Sequence, residues 1–393
     1  MMFNDLFGIS SSDSSLTPIS KYVIDGVLNI DAPNWSALNK EYTKEELIEF
    51  LVTEVTSGNM KFPYREITLD DARNDFVLLS DSKPEEFEYA KVCTRFDYTY
   101  PIQDKYIKGM NVGNLASDYF QQKNRFKCEG HGNPSPIRTW NTPEFLYTLF
   151  KALWTLKCTN VNSSTIRTII ALRKYTASQF KPSVAKTIYE KYNSQDVIDF
   201  SAGWGDRLCG FYATKNAKSY IGIDPNTDVY KCYFTQANFY KGLTTPKEVT
   251  FINQPAEEVV LGEEIADTIF TSPPYFNAEK YTTDSTQSFK RYKTIDSWLT
   301  GFMFPTLTTM CKALKVGGHL IINISDVYTN GTRHKICDPM NDFLSQIDGM
   351  EFVEAYGMKM AKRPNSLADD GNPDTTFIEP VWVWTKTKHL ENG

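Results

Sequence analysis

Histidine is scarce in this chain, and its cysteines do not form pairs. Four histidines and seven cysteines occur among 393 residues, and no two cysteines have Cys-x-x-Cys spacing. Cys128 and His131 would supply only two zinc ligands, and no second pair stands near them, so we expect no metal site. An odd number of scattered cysteines indicates reduced thiols and argues against a disulfide framework.

Long apolar runs are also absent. No stretch approaches the roughly 20 apolar residues that a membrane-spanning helix needs, and the start Met-Met-Phe-Asn-Asp lacks the basic and apolar regions of a signal peptide. These absences predict an intracellular, cytoplasmic protein without a membrane partner. With 41% hydrophobic residues, a chain of this length can bury a large core, and we expect two domains.

The most informative motif is Thr271-Ser272-Pro273-Pro274-Tyr275, which follows an apolar segment at 265–270. Two consecutive prolines fix φ and donate no N–H, so they hold the chain extended. The Ser272 hydroxyl and the Pro273 carbonyl can bind an exocyclic NH₂ group while the Tyr275 ring stacks on the base that bears it. An isolated Pro-Pro-Tyr more often marks a turn at a strand end. The rest of the chain favours the pocket.

A glycine turn lies upstream of this motif. Residues 196–199 form an apolar segment that leads into a turn with Gly203 and Gly205, and a second short apolar segment ends in Asp224. Glycine allows positive φ and close approach of a ligand. In nucleotide-binding α/β folds, a carboxylate about 20 residues after such a turn holds the ribose hydroxyls. The order of strand, glycine turn, helix, strand and Asp predicts a cofactor with a nucleoside part.

Both motifs resemble those of the S-adenosylmethionine-dependent amino methyltransferases, which methylate cytosine N4 or adenine N6 in DNA. Residues 199–205 resemble the cofactor motif of that family and residues 271–275 its catalytic motif, in the same chain order. The resemblance implies methyl transfer from S-adenosylmethionine to the exocyclic amine of a base flipped out of DNA, as in DNA modification and restriction–modification. The Ser-Pro-Pro-Tyr form favours cytosine N4. Adenine N6, or an amine in RNA or another nucleobase-containing substrate, stays an alternative.

The resemblance also assigns roles to residues. Gly203 and Gly205 let the backbone approach the methionine end of the cofactor. Asp199 attracts the ammonium group of the cofactor through water or the backbone, and Asp224 takes the ribose hydroxyls. The expected cofactor-binding residues are Phe180, Asp199, Ser201, Ala202, Gly203, Gly205, Asp224, Asn253, Gln254 and Thr271. The expected catalytic residues are Ser272, Pro273, Pro274 and Tyr275. Methylation of cytosine carbon 5 needs a Pro-Cys pair, and because the sequence has none that reaction is excluded.

The hydrophobic pattern and the resemblance together predict an α/β fold, a Rossmann-like doubly wound methyltransferase sheet whose last two strands are antiparallel. Seven strands are expected, starting from Val197, Tyr220, Val249, Thr268, Leu320, Phe352 and Val381. A helix at 298–314, ended by Gly317 and Gly318, is expected before the fifth strand.

The polar stretch 158–164 predicts a domain boundary. Residues 158–393 would form the methyltransferase domain, and residues 1–157 an additional, mainly helical N-terminal domain that recognises the target. Residues 42–54 have an amphipathic helical pattern, and the Ser-rich segment 10–20 is expected to be mobile. Between 95 and 154, aromatic and basic residues alternate. This pattern suits nucleic-acid binding and equally suits an ordinary helical core.

The formal net charge is −6, yet basic residues concentrate around the two motifs. The segment from residue 157 to residue 191 contains seven basic residues and a single acidic one. Such runs bind phosphates or form solvated faces, and here we weigh the two equally. The candidate nucleic-acid contacts are Arg173, Lys174, Lys181, Lys290, Arg291, Lys123 and Arg125. Two long polar loops, 276–294 and 358–379, are expected at the ligand-binding edge of the sheet, where one closes over the base.

Overall fold

The computed structural model describes residues 16–360 and 374–390. Most of the Ser-rich segment 10–20 and most of the predicted loop 358–379 lie outside these ranges. The chain divides into two compact units. One consists of the chain up to Arg65 with Asn133–Thr176, and the other of Glu66–Gly132 with the chain from Ala177 onward. This division differs from the predicted boundary near residue 158, because the chain crosses between the units more than once.

The larger unit contains a ten-stranded sheet. Seven of its strands are the predicted ones, which we number in chain order: β1 (Asp196–Asp199), β2 (Ser219–Ile223), β3 (Glu248–Ile252), β4 (Ala266–Thr271), β5 (Leu314–Asn323), β6 (Met350–Lys359) and β7 (Thr376–Lys386). Their order across the sheet is β3-β2-β1-β4-β5-β7-β6. Strands Lys105–Ile107 and Glu88–Tyr89 extend the β6 edge, and Val92–Cys93 pairs with β7.

Strand direction confirms the predicted topology. The first five numbered strands are parallel to one another, whereas β7 runs antiparallel to both β5 and β6. The chain winds from β1 to β2 and β3 in one direction and then returns to place β4 on the other side of β1. The winding direction of the sheet therefore switches at the boundary between β1 and β4. In open α/β sheets, ligands bind at the carboxyl ends of the strands at such a switch point.

Side chains of the central strands alternate between two hydrophobic cores, as the two-residue period of a strand requires. Ile269, Leu320 and Trp382 pack into one core, and their neighbours Phe270 and Ile321 pack into the other. Both faces of the sheet are therefore covered by helices. The α-helices of this unit are Leu69–Asp81, Asn114–Arg125, Pro182–Lys191, Asp206–Ala213, Thr227–Lys241, Ser288–Arg291, Ile295–Trp298, Phe304–Ala313 and Cys337–Ser345.

The helical segment before β5 differs from the prediction in detail. A π-helical turn, Leu299–Met303, separates Ile295–Trp298 from Phe304–Ala313. The helix ends at Ala313, and Gly317 and Gly318 lie inside β5 rather than at a helix C-cap. Short two-stranded ribbons complete the unit: Glu129–Gly130 with Glu279–Lys280, and Val327–Thr329 with Thr332–His334.

The smaller unit is mainly helical within the described residues. Its α-helices are Ala32–Glu41, Lys44–Thr56, Pro136–Trp140, Pro143–Phe150, Ala152–Thr155 and Ser163–Arg173, and its strands are Val23–Ile24, Val27–Ile30 and Val161–Asn162. Thr43 starts the second helix with a capping box that includes Glu46, so the amphipathic helix predicted at 42–54 is present. A core of its own, including Trp35, Leu47 and Phe150, holds the unit together.

The structure also bears on the cysteines and on membrane-spanning helices. All seven cysteines are free thiols. Of the helices in 16–360 and 374–390, none combines the length and the apolarity that crossing a bilayer requires.

The predicted basic run 157–191 is not one continuous surface. Lys186 is only 2% exposed, and its Nζ donates hydrogen bonds to the carbonyl oxygens of Leu79, Ser80 and Ser82 at 2.8, 2.9 and 2.5 Å. These carbonyls belong to the end of helix Leu69–Asp81 and the residue after it, so the ammonium group caps that helix. Lys191 forms an ion pair with Glu354.

Lys186→Met should therefore lower the free energy of unfolding. The substitution keeps the apolar stem but leaves three buried carbonyl groups without their charged donor, which should cost about 2–3 kcal/mol. Chemical denaturation measures the change. Lys215→Met, at an exposed position, is the control and should stay within about 0.5 kcal/mol of the parent. Equal stability of both variants would show that the cap contributes nothing.

Candidate active site

A cavity of about 410 Å³ opens at the carboxyl ends of the parallel strands. Its wall brings together many of the predicted site residues: Phe180, Ser201, Ala202, Gly203, Asp224, Ser272, Pro273, Pro274 and Tyr275. The two motifs are almost 70 positions apart in the sequence, yet they lie on one cavity because β1 and β4 are neighbours in the sheet. This cavity is the candidate active site.

The glycine turn after β1 forms one wall. Gly203 and Gly205 both have positive φ, 54° and 72°, a conformation that glycine adopts without strain. Space for a side chain exists at Gly203, but at Gly205 a Cβ atom would collide with the Gln236 amide. Gly203 therefore lets a ligand come close to the turn, although its own N–H and carbonyl are bonded to Asp224 and Tyr233. Gly205 serves close packing and the start of helix Asp206–Ala213.

Asp224 stands at the end of β2 beside this turn. One carboxylate oxygen accepts a hydrogen bond from the Gly203 N–H, and the other accepts one from the Asn226 N–H, both at 2.9 Å. Burial raises the pKa of Asp224 to about 6. A carboxylate that lines the cavity and is fixed by backbone N–H groups suits the ribose hydroxyls of the cofactor.

Asp199 lies beside the glycine turn, and its side chain does not line the cavity itself. It is fully buried, and its carboxylate forms an ion pair with the Arg207 guanidinium, with Nε to Oδ2 at 2.8 Å. The Tyr220 hydroxyl and the Thr271 hydroxyl donate to the same carboxylate at 2.8 and 2.9 Å. Asp199 and Thr271 thus lie behind the cavity wall, where they join the cofactor turn to the catalytic motif.

Two other predicted cofactor-binding residues, Asn253 and Gln254, also lie off the cavity wall. Asn253 donates a hydrogen bond from Nδ2 to the Asp224 carbonyl at 2.9 Å, and Gln254 is exposed. The next residues, Pro255, Ala256 and Glu257, line the cavity in their place. Ala256–Glu258 turns back as a 3₁₀ helix, which brings these later residues to the cavity wall.

The catalytic motif begins where β4 ends. Pro273 is buried, whereas Ser272, Pro274 and Tyr275 are partly accessible. After the motif, Phe276 has φ 46°, so the chain turns sharply and its buried ring packs into the core. The Tyr275 hydroxyl contacts Ser272 and Glu379 and lies 3.5 Å from the Asn323 carbonyl oxygen. The motif is therefore anchored from two neighbouring strands, β5 and β7.

Other cavity residues were not among the predicted site residues. Chief among them are Arg207, Asp206, Asn323, Glu279, Tyr281 and Glu379. Burial raises the pKa of Asp206 to about 6 and that of Glu379 to about 7. Glu379 is the last residue of the predicted loop 358–379, but it belongs to β7, and the antiparallel pairing of β7 with β5 brings it beside the motif. Residues 279 and 281 were within the predicted loop 276–294, which does reach the cavity.

Several of the candidate nucleic-acid residues have contacts within their own unit. Arg125 holds Asp118 in a bidentate ion pair, and Arg291 pairs with Glu257 and Glu258. Lys290 donates to the Thr283 carbonyl, Lys123 is exposed, and Lys181 lines the cavity. Arg173 and Lys174 belong to the smaller unit, where Lys174 lies over the Phe145 ring.

Cys128 and His131, which the sequence offers as two potential zinc ligands, have other contacts in the structure. Cys128 is buried, and the His131 ring contacts Asn330 at 2.8 Å. Across residues 16–360 and 374–390, no group of three or more His, Cys, Asp or Glu side chains is placed to hold a metal ion.

Comparison with known protein families gives a match, which covers about the last third of the chain. Residues 266–391 match the family model of N6/N4 methyltransferases, described as DNA methylase. This match confirms the resemblance to amino methyltransferases and, with it, S-adenosylmethionine as the cofactor. The chain matches no curated protein sequence.

Solved methyltransferase structures are similar at low identity. An S-adenosylmethionine-dependent O-methyltransferase from Thermotoga maritima is 13% identical, covering 57% of this chain and 72% of its own, with a TM-score of 0.33. A tRNA (m1A58) methyltransferase from Aquifex aeolicus is 14% identical, covering 54% and 71%, with a TM-score of 0.33. The N-methyltransferase NodS from Bradyrhizobium japonicum, bound to S-adenosyl-L-homocysteine, is 11% identical, covering 52% and 86%, with a TM-score of 0.34. Similarity this low does not decide the substrate.

Asp224→Asn should weaken cofactor binding. The loss of a charged acceptor for hydroxyl groups should cost about 1.5–3 kcal/mol, roughly tenfold or more in Kd. Because the pKa of Asp224 is about 6, the carboxylate form is lost as the pH falls through 6, so the parent should bind more weakly there. The variant should lack that dependence.

Isothermal calorimetry with S-adenosylmethionine between pH 5 and 8 makes this measurement. Asp342→Asn, which changes an exposed carboxylate on helix Cys337–Ser345, serves as the control and should bind as the parent does. If Asp224→Asn binds with the parent affinity at every pH, Asp224 does not hold the cofactor.

Proposed function

We propose that this S-adenosylmethionine-dependent amino methyltransferase acts on the exocyclic amine of a base in DNA, with cytosine N4 as the favoured position. The observation that carries the proposal is the shared cavity: Ser272, Pro273, Pro274 and Tyr275 line it together with Gly203 and Asp224. A cofactor held by the glycine turn and a base held by the motif would therefore meet within one space. The family described as DNA methylase supports DNA over RNA as the substrate.

The residues of the motif divide the work of holding the base. Ser272 and the Pro273 carbonyl orient the amine, and Tyr275 stacks on the ring. Extrusion of a base from a duplex costs a few kcal/mol, and aromatic stacking returns about 1–3 kcal/mol. When bound, S-adenosylmethionine supplies an electrophilic methyl group. Since the lone pair of an aromatic amine is delocalised, the main task of the protein is to position the nitrogen and stabilise its bent geometry.

The choice between cytosine and adenine rests on the first residue of the motif. Ser272 gives the Ser-Pro-Pro-Tyr form that favours cytosine N4. Adenine N6 is the second candidate, because the matched family model joins N6 and N4 enzymes. Target recognition by the part of the chain before residue 158 stays a prediction. Phosphate contact by Arg125 or Arg291 would require their internal ion pairs to open.

The direct test is transfer of a tritiated methyl group to duplex DNA, single-stranded DNA and RNA, followed by nucleoside analysis. The proposal expects label in DNA as N4-methylcytosine. Label as N6-methyladenine would select the second candidate. Label only in RNA, or label on a ring carbon, would contradict the proposal.

Ser272→Ala separates chemistry from cofactor binding. It removes one hydrogen bond to the amine and leaves the proline backbone and Tyr275 in place, so turnover should fall about tenfold or more, equivalent to about 1.4 kcal/mol. The Kd for S-adenosylmethionine should change little. Steady-state kinetics and calorimetry together measure both quantities.

Ser345→Ala is the matched control, because Ser345 is an exposed serine at the end of helix Cys337–Ser345. It should keep the parent turnover. A Ser272→Ala variant as active as this control would mean that residues 271–275 act only as a structural turn.

A further inference from the structure

Glu379 is a carboxylic acid on the wall of the cavity that faces the catalytic motif. It lies on β7, and the adjacent Pro380 carbonyl accepts hydrogen bonds from Asn323 Nδ2 at 3.0 Å and from the Ile324 N–H at 3.3 Å. This pairing fixes Glu379 beside the end of β5. The Tyr275 hydroxyl and the Asn323 side chain hydrogen-bond the Glu379 carboxyl group. Its position is therefore set by the motif itself.

Methylation of an amine releases a proton that some group must accept. Ser272 carries a hydroxyl, which is a weak base, and Pro273 and Pro274 offer only carbonyl oxygens. The motif thus supplies the hydrogen bonds that orient the amine but no group that would hold its proton near neutral pH.

The other carboxyl groups on the described wall of the cavity are already engaged. Asp206 accepts hydrogen bonds from Ser117 and from the Phe180 N–H, and Asp224 accepts two backbone N–H groups on the cofactor side. Glu257 is paired with Arg291. Glu279 accepts from the Tyr281 hydroxyl. Glu379 is the carboxyl group whose partners are the motif and Asn323.

We propose that Glu379 is a further catalytic residue, which accepts the proton from the target nitrogen. The inference rests on the proposed function. As the bond between nitrogen and the methyl carbon forms, the sulfur–methyl bond breaks and its electron pair stays on sulfur. The Glu379 carboxylate takes the proton that the nitrogen releases and later passes it to water. Charge and atoms balance without any further reactant.

The surroundings of Glu379 determine its working pH. Burial raises its pKa to about 7, the Tyr275 and Asn323 hydrogen bonds oppose the rise, and the negative charge of Glu279 adds to it. Lys359, on the neighbouring strand β6, is a cationic group on the wall of the same cavity, which Lys181 and Arg207 also line. A base must be ionised to accept a proton, so turnover should rise as the pH passes upward through about 7 and should be lost below it.

The test compares Glu379→Gln with the parent in methyl transfer to DNA between pH 5.5 and 9. Glutamine keeps the shape but cannot hold the proton, so turnover should fall about a hundredfold or more at pH 8, and the rise near pH 7 should disappear. Glu379→Asp, which restores a carboxylate, should recover part of the rate with a pH-dependent rise. Affinity for S-adenosylmethionine should stay at the parent value in both variants. Glu351→Gln, an exposed carboxylate on β6, should keep the parent rate and pH profile.

The proposal is overturned if Glu379→Gln retains the parent turnover, or if its rate falls while the rise near pH 7 persists unchanged. The second result would mean that Glu379 only supports the fold of the motif. Failure of the proposed function is a separate outcome, because it would appear in the parent as the absence of methyl transfer to any base amine, before a variant is compared.

Discussion

The buried ion pair between Asp199 and Arg207 is the interaction on which the site depends. Asp199 ends β1, and Arg207 lies in the first turn of the helix that follows the glycine turn. The guanidinium group bonds both the Asp199 carboxylate and the Ser201 carbonyl, so it closes the turn that contains Gly203. The Thr271 hydroxyl bonds the same carboxylate, directly before the catalytic motif. Removing one partner of a buried ion pair typically costs about 3–5 kcal/mol.

This arrangement divides the acidic residues of the site into three roles. Asp199, paired and fully buried, positions the two motifs. Asp224, fixed by the Gly203 and Asn226 N–H groups, faces the cofactor side. Glu379, held by Tyr275 and Asn323, faces the acceptor side. The position of a carboxylate relative to the cavity, more than its presence in a motif, determines whether it can contact a ligand or only support the site.

The sequence predicts most of the sheet because its signals are local. Each of the seven strands was visible as a short apolar segment, and the glycine turn and the Ser-Pro-Pro-Tyr motif identify both ends of the cavity. Contacts set by strand pairing were not predictable in this way. Glu379 comes beside Tyr275 only through the register of β7, and Arg207 pairs with Asp199 only after the turn has formed. The burial of Lys186 within the basic run 157–191 was not predictable either, because it depends on a helix about a hundred residues earlier.

The most direct test of this account is the affinity of Asp199→Asn for S-adenosylmethionine, measured by calorimetry under conditions in which the variant remains folded by circular dichroism. Asp199 does not line the cavity, so a change in affinity must arise through the groups that its carboxylate holds, which are the Arg207 guanidinium of the turn and the Thr271 hydroxyl. The account predicts binding at least about tenfold weaker than the parent, equivalent to about 1.4 kcal/mol. Parent affinity in the folded variant would contradict it, because the ion pair would then be dispensable for the shape of the site.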